Sequence, residues 1–369
     1  MPDSAPLYAI DRTHLDELSD RTGIMQHAVG SRPDPGHGYC VDDVARALTV
    51  DLLHAEGLGW AAIAPSAGRS MAFLEAAFEP DCGRFRNFQS AGGRWLETVG
   101  SEDAHARALL ALAEAATNAG DARLRAAATT LFERALPAGL SLEFLRPVAA
   151  AVIAAELAAR HGNRVAAASL PELARTLWQA TPPAPGSGPD WPWPEAILTY
   201  ENGIVPRALL RAGDRLGDRW MVDRGLRLLD WLVAVQTGPE GHFSPIGNRG
   251  WWPHGGPRAR YDQQPIEATA LLLAAEAAFE ITGGPSHRAT MEWAYGWFLG
   301  RNDARRRVAV PATGGCHDGL TPAGVNANQG AESTLMWLTA LERIRAVRRS
   351  GTGRRGARFV PGAAAATPA

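Results

Sequence analysis

The feature that most constrains this chain is internal repetition. Six Ala/Leu-rich segments, each apolar nearly all round, begin near Asp42 (DDVARALTVDLLHAEG), Asp103 (DAHARALLALAEAATNAG), Glu143, Asn202, Pro265 and Gly330. Between them the periodicity predicts six amphipathic helices at roughly 11–28, 67–79, 121–135, 164–180, 217–236 and 286–301. These carry a charged face, as in DRGLRLLDWLVAVQ from Asp223 to Gln236, so one side can meet water. Helices apolar on every side must be enclosed, and half-polar helices are what can enclose them. The pattern predicts an all-α fold: an (α/α)6 barrel, or toroid, of six helical hairpins in one domain over residues 1–348.

The two kinds of connection differ. Gly57, Gly120, Gly162, Gly217 and Gly283 end apolar helices and are followed promptly by the next amphipathic one, as helix stops with short turns require. The opposite connections, 29–41, 80–102, 181–201, 237–264 and 302–329, are long and rich in Gly, Pro, Trp and charge. Each precedes an inner helix, so all fall at one end of the ring, where long loops are usually functional. Small hairpins are expected within them, for example in GRFRNFQSAGGRWLETV. The third unit is the exception, its connection around 137–142 being short. The Arg/Gly/Ala/Pro-rich stretch 349–369 is expected to be a disordered tail.

Composition excludes some partners. With 37 basic against 39 acidic residues, the chain lacks the charge excess that binds nucleic-acid phosphates or anionic membrane surfaces. The longest apolar stretch, Pro147 to Ala159, is short and broken by Glu156, so no membrane span is expected. No export signal is readable at the N-terminus, and Cys40, Cys82 and Cys316 are widely spaced. Both point to a cytoplasmic setting with reduced thiols.

The long loops deliver carboxylates to the starts of inner helices: Asp42 and Asp43, Glu102 and Asp103, Glu195 and Glu201, Asp262 and Glu267, and Glu332. One reading is helix capping, since acidic groups satisfy free amides and suit the dipole. The other is a shared site, because capping needs neither a second adjacent carboxylate nor flanking tryptophans. Trp95, Trp191, Trp193, Trp251 and Trp252 lie in the same loops beside Pro and Gly, whereas Trp231, Trp293 and Trp337 sit at helical spacing and read as core. Flat indole faces suit the C–H face of a sugar ring, with polar neighbours on its hydroxyls. Loops pinned by their own aromatic residues are the alternative.

Paired carboxylates against aromatic walls are what glycosidic cleavage needs: one protonates the leaving oxygen, the other activates water or attacks carbon. The chain has no dinucleotide fingerprint, phosphate loop, H-E-x-x-H or G-x-S-x-G. His27, His37, His54, His105, His242, His254 and His317 are dispersed, so no metal set and no cofactor is implied. His105, His254 and His317 fall near the loop end and keep proton-transfer isomerisation open.

Six inner and six outer helices with acidic long loops resemble the six-hairpin glycosidase superfamily over about residues 8–347. That superfamily spans glycoside hydrolases, phosphorylases, sugar epimerases and some lyases. More narrowly, DRTHLDELSDRTGIMQHA, GYCVDDVARAL, GSEDAHARALLAL, WPWPEAILTYENGIVPRALL and YDQQPIEATALLL resemble a bacterial family that occurs alone or joined to glycosyltransferase domains. The resemblance implies an oligosaccharide or glycoside substrate and, for the narrower family, a glycosyltransferase partner. It places general acid and base across the barrel mouth, within the set Asp43, Asp103, Glu195, Glu201 and Asp262. Substrate contacts are expected from Asp42, Glu102, Asn202, Gln263, Glu267, Gln329 and Glu332, from the histidines His105, His254 and His317, and from Trp191, Trp193, Trp251 and Trp252.

Three functions fit. The first is a glycoside hydrolase, or a phosphorylase if Arg249, Arg258 and Arg260 form a cationic pocket. The second is a sugar epimerase or isomerase using loop-end histidines. The third is a noncatalytic glycan-binding partner of a glycosyltransferase.

Overall fold

In the computed structural model, which describes residues 5–182 and 190–350, the apolar segments become helices α2 (Val41–Leu58), α4 (Glu102–Asn118), α6 (Leu145–Arg160), α8 (Ile204–Leu216), α10 (Pro265–Thr282) and α12 (Ala331–Arg349). Each packs against the next, and α12 packs back on α2, so the six close into a ring. Their composition explains the enclosure. From Leu145 to Glu156 every residue of α6 is buried, and only helices free of a polar face can sit so deep.

The outer layer is α3 (Trp60–Ala77), α5 (Ala122–Gly139), α7 (Arg164–Ala180), α9 (Arg219–Val235) and α11 (Pro285–Phe298), each packed on the inner helix before it. These helices bury one stripe. In α7 it is Ala166, Leu170, Leu173, Ala174 and Leu177, the spacing of a single helical face. Small residues let the layers approach. A Cβ on Gly203 would stand 2.3 Å from the Ala270 carbonyl oxygen, so α8 and α10 meet backbone to backbone there.

The expected outer helix at 11–28 is a correction. Only α1 (Thr13–Glu17) is helical there. The Asp20 carboxylate accepts the Thr22 and Gly23 N–H groups at 2.7 and 3.2 Å and the Tyr39 hydroxyl at 2.7 Å, a local turn that competes with helix. The segment instead straps the ring. Arg12 reaches Asp51 of α2 at 2.7 Å, and the His14 ring meets the Gln329 carbonyl just before α12 at 2.8 Å. Helix α3, expected at 67–79, starts earlier, at Trp60, with Pro65 inside its first turns.

Among the described residues the long loops hold six two-residue antiparallel strand pairs. Arg84–Phe85, at the start of the run expected to form a hairpin, pairs back with Phe78–Glu79, which falls at the end of the expected outer helix. Two pairs tie one loop to another: Tyr39–Cys40 with Phe88–Gln89, and Ile197–Leu198 with Trp252–Pro253. No helix among the described residues is long and apolar enough to cross a membrane. Of the expected tail, Arg349 ends α12 and residues 351–369 lie outside the described residues.

Candidate active site

The inner helices start at the loop end, and their first turns decide whether the acidic residues there are caps. At α2 the capping acceptor is the Cys40 sulfur, which takes the Asp43 N–H at 3.4 Å; at α4 it is the Ser101 hydroxyl, which takes the Ala104 N–H at 3.1 Å. Asp42, Asp43 and Asp103 therefore lie inside the helices, with side chains free for other partners.

Those partners are arginines of the inner helices. Arg46 joins Asp43 at 3.0 Å to Glu332 of α12 at 2.8 Å. Arg107 grips Glu201 through both oxygens, at 3.2 and 2.6 Å, and stands 3.4 Å from Asp42. Arg146 takes both oxygens of Glu195 at 3.0 Å, donates to the Tyr200 carbonyl and reaches Asn202 Oδ1 at 3.0 Å. Asn202 in turn donates to Glu267 at 3.0 Å. The Tyr200 hydroxyl donates to Asp103 at 3.1 Å, and the Trp251 ring lies 6.3 Å from the Tyr200 ring. Glu201 and Trp251 both adopt left-handed backbone, φ +48° and +56°, which is costly for such side chains and persists only where contacts over-determine it. The two-pronged Arg107 bond supplies that at Glu201.

This packing separates the carboxyl groups electrically. Burial raises Asp103 above the usual value, helped by the charges of Asp42 and Glu201 and opposed by Arg107 and Tyr200. Burial also pushes Asp43 up to about 6 against the pull of Arg46. Glu201 goes the other way: burial opposes its charge, but Arg107, joined by Arg46 and Arg146, holds it low. Glu267, enclosed beneath Asn202, is pushed up to about 7 by burial. Carboxyls shifted up thus stand beside one shifted down, the pattern from which acid and base roles arise. Of the raised pair, Asp103 is half-exposed whereas Asp43 is buried.

Several expected site residues belong elsewhere. Trp191 and Trp193 are buried and pack with Trp252 around Trp231 of α9 at ring distances of 5.0 to 6.2 Å. They anchor the loop, with indole N–H groups on Glu195 at 3.0 and 3.1 Å. Trp252 stays half-buried in that cluster, and Trp95 lies on Phe73. His105 is wholly buried against Phe85, and desolvation drops its pKa to about 3. His254 is exposed and stacked on Trp191; His317 is half-buried in the loop before α12. Glu102 holds the turn that leads into α6, accepting the Glu143 and Phe144 N–H groups at 2.9 and 3.0 Å. Gln263 is buried between Asp303 and Trp297. Gln329 contributes its carbonyl to His14. Asp262 pairs with Arg249 at 3.2 Å, and no contact among the described residues joins it to the Asp103 cluster.

The cationic pocket is corrected too. Arg249 is taken by Asp262, Arg260 by Asp303 at 2.9 Å, and Arg258 by the Val235 and Ser244 carbonyls. Sequence reasoning missed Arg46, Arg107 and Arg146. Their signal was a lone arginine three or four residues after an acidic one on an otherwise apolar segment, as in Asp43/Arg46 and Asp103/Arg107. No group of three or more His, Cys, Asp or Glu residues placed to hold a metal occurs among the described residues.

The chain matches no protein-family model, and no curated protein matches it. Solved structures do match. A sugar epimerase from a ruminal bacterium superposes with TM-score 0.68 at 14% identity, covering 90% of this chain and 94% of that one. Cellobiose 2-epimerase from Spirochaeta thermophila gives 0.67 at 15%, covering 90% and 93%. A GH76 α-mannanase from Bacteroides thetaiotaomicron gives 0.58 at 9%, covering 84% and 87%. By name these are two epimerases and a mannanase. At such identities they establish the architecture, and the ring described above is an (α/α)6 barrel.

Proposed function

We propose that the chain is a carbohydrate-active enzyme working at the loop end of the barrel, and specifically a glycoside hydrolase. Asp103 is the general acid and Asp42, paired with Arg107, the carboxylate that activates water. The observation that carries this reading is the geometry of the cluster: Asp103, raised by burial and held by the Tyr200 hydroxyl at 3.1 Å, shares the loop end with Asp42, which stands 3.4 Å from Arg107. Arg107 fixes the spacing, Tyr200 orients the Asp103 carboxyl, and Trp251 offers a ring face beside it. A positioned acid and base of this kind contribute roughly 10²–10⁴-fold each.

The test is incubation of the purified chain with a panel of oligosaccharides, with and without phosphate. New reducing ends that appear in the wild type and vanish in Asp103→Asn and Asp42→Asn support the reading. Turnover unchanged in both variants removes it.

A second reading is sugar epimerisation or isomerisation. It draws on the higher TM-scores, 0.67 to 0.69, with the two epimerases above and a D-mannose isomerase. With His105 buried, its proton carriers reduce to His254 and His317. Solvent deuterium appearing on a carbon of the reducing-end sugar, with no bond cleaved, selects it. The narrower likeness to a glycosyltransferase-associated family stands as a further part of this proposal, tested by co-purification with that enzyme.

A further inference from the structure

The inner helices start at the carboxylate mouth, so the space inside the ring runs from there past the first turn of α8, which carries Arg207, to the C-terminal halves of the other inner helices. A cavity of about 470 Å³ opens there. Its wall carries Glu114 of α4, Arg207 of α8, Glu276 of α10 and Arg343 of α12. Glu114, Arg207 and Glu276 are 7, 9 and 5% exposed. The Arg207 side chain makes no hydrogen bond or ion pair among the described residues, and its Nε is buried without a partner. Arg343 stands 3.8 Å from Glu114 and 3.9 Å from Glu276, too far for hydrogen bonds, and its Nε is also unpartnered. Neighbouring pairs on the same wall are closed: Arg160 with Glu156 at 2.8 Å and Arg211 with Glu280 at 2.6 Å. Buried polar groups are almost always hydrogen-bonded, so the unpartnered Nε atoms of Arg207 and Arg343 mark this wall as one suited to a hydrogen-bonding ligand.

Their pattern specifies what. Two arginines and two glutamates sum to zero, which calls for neither an anion nor a cation. The arginines need acceptors and the carboxylates need donors, and a hydroxyl is both. Leu110, Ile153 and Phe279 add an apolar flank suited to C–H faces. A second recess of about 460 Å³ shares Glu114, Asn118 and Arg343 and ends on Trp60, and pockets of roughly 300–1,000 Å³ are the size that holds small organic ligands. We propose that this end of the barrel is a second binding site, for a neutral saccharide of one or two rings, organised by Arg207, Arg343, Glu114 and Glu276. Burial and the neighbouring arginines lower Arg207 to about 10, and a bound hydroxyl would return to it the hydrogen bonds that water has lost. The site is independent of the chemistry at the mouth. A narrow cavity of about 60 Å³ nevertheless continues along the axis from Arg207 and Arg343 to Arg107 and Glu201.

The experiment is calorimetric titration of the full chain with glucose, cellobiose and inorganic phosphate, in an Asp103→Asn background that prevents turnover. Expected is saccharide binding that falls tenfold or more in Arg207→Met and several-fold in Glu276→Gln, with no binding of phosphate. Glu276→Gln keeps the side-chain shape and carries the test if Arg207→Met does not fold. Saccharide binding indifferent to both changes overturns the proposal, as does binding of phosphate alone or of no probe, which leaves a water-filled cavity. A wild-type chain that cleaves nothing yet binds saccharide through Arg207 defeats the hydrolase reading and upholds this one.

Discussion

Asp103, Asp43 and Glu201 share one cluster and differ in what surrounds each carboxyl. Asp103 is half-exposed and raised by burial, so Asp103→Asn removes a proton donor while keeping shape. Turnover is expected to fall about 10²-fold or more with the melting temperature nearly unchanged. Arg107→Met strands Glu201, a buried carboxylate, and should cost about 3–5 kcal/mol, read as a lowered denaturant midpoint. Glu267 gives the pH prediction. Its folded pKa, about 7, lies above its unfolded value of 4.5, so the native state holds the extra proton and stability falls as pH rises from about 4.5 to 7. Glu267→Gln should raise stability at neutral pH by on the order of 3 kcal/mol and flatten that slope; a variant no more stable at pH 7.5 than at pH 5 relative to wild type contradicts it. The acidic first turns were legible in sequence because the helix period placed them. The fates of Trp191 and Trp193 were not, since a loop tryptophan can face ligand or loop, and only the arrival of Trp231 from α9 decides.

At the scale of elements, apolar helices in the sequence became inner helices almost residue for residue, because a segment without a polar face has one place to go. Residues 11–28 misled: the apolar spacing was present, but Asp20 had a local hydrogen-bonding alternative that spacing does not register. Close packing gives a prediction here. Gly203→Ala drives a methyl into the Ala270 carbonyl and should destabilise by about 1–3 kcal/mol. Gly68→Ala, on the exposed face of α3 with nothing within 4 Å of its added Cβ, should stabilise by about 0.5–1 kcal/mol. Equal midpoints in urea for the two variants would refute the backbone contact between α8 and α10.

For the whole molecule, the strap at residues 5–17 ties the ring where α12 meets α2. Arg12 serves Asp51, a buried carboxylate at 0% exposure, while Tyr295 donates to the Pro6 carbonyl at 3.0 Å and Arg345 reaches the Tyr8 carbonyl across 337 sequence positions. Such contacts carry the highest loop-closure entropy in the chain, and folding slows as contacts become more distant in sequence. On the ribosome the five hairpins from α2 to α11 can form in order as they emerge; the strap can meet Asp51 of α2 early, but its bonds to Tyr295 of α11 and Arg345 of α12 wait until those helices are made. That side of the seam closes only once α12 is in place, and until then a chaperone or a competing copy of the chain would find it open.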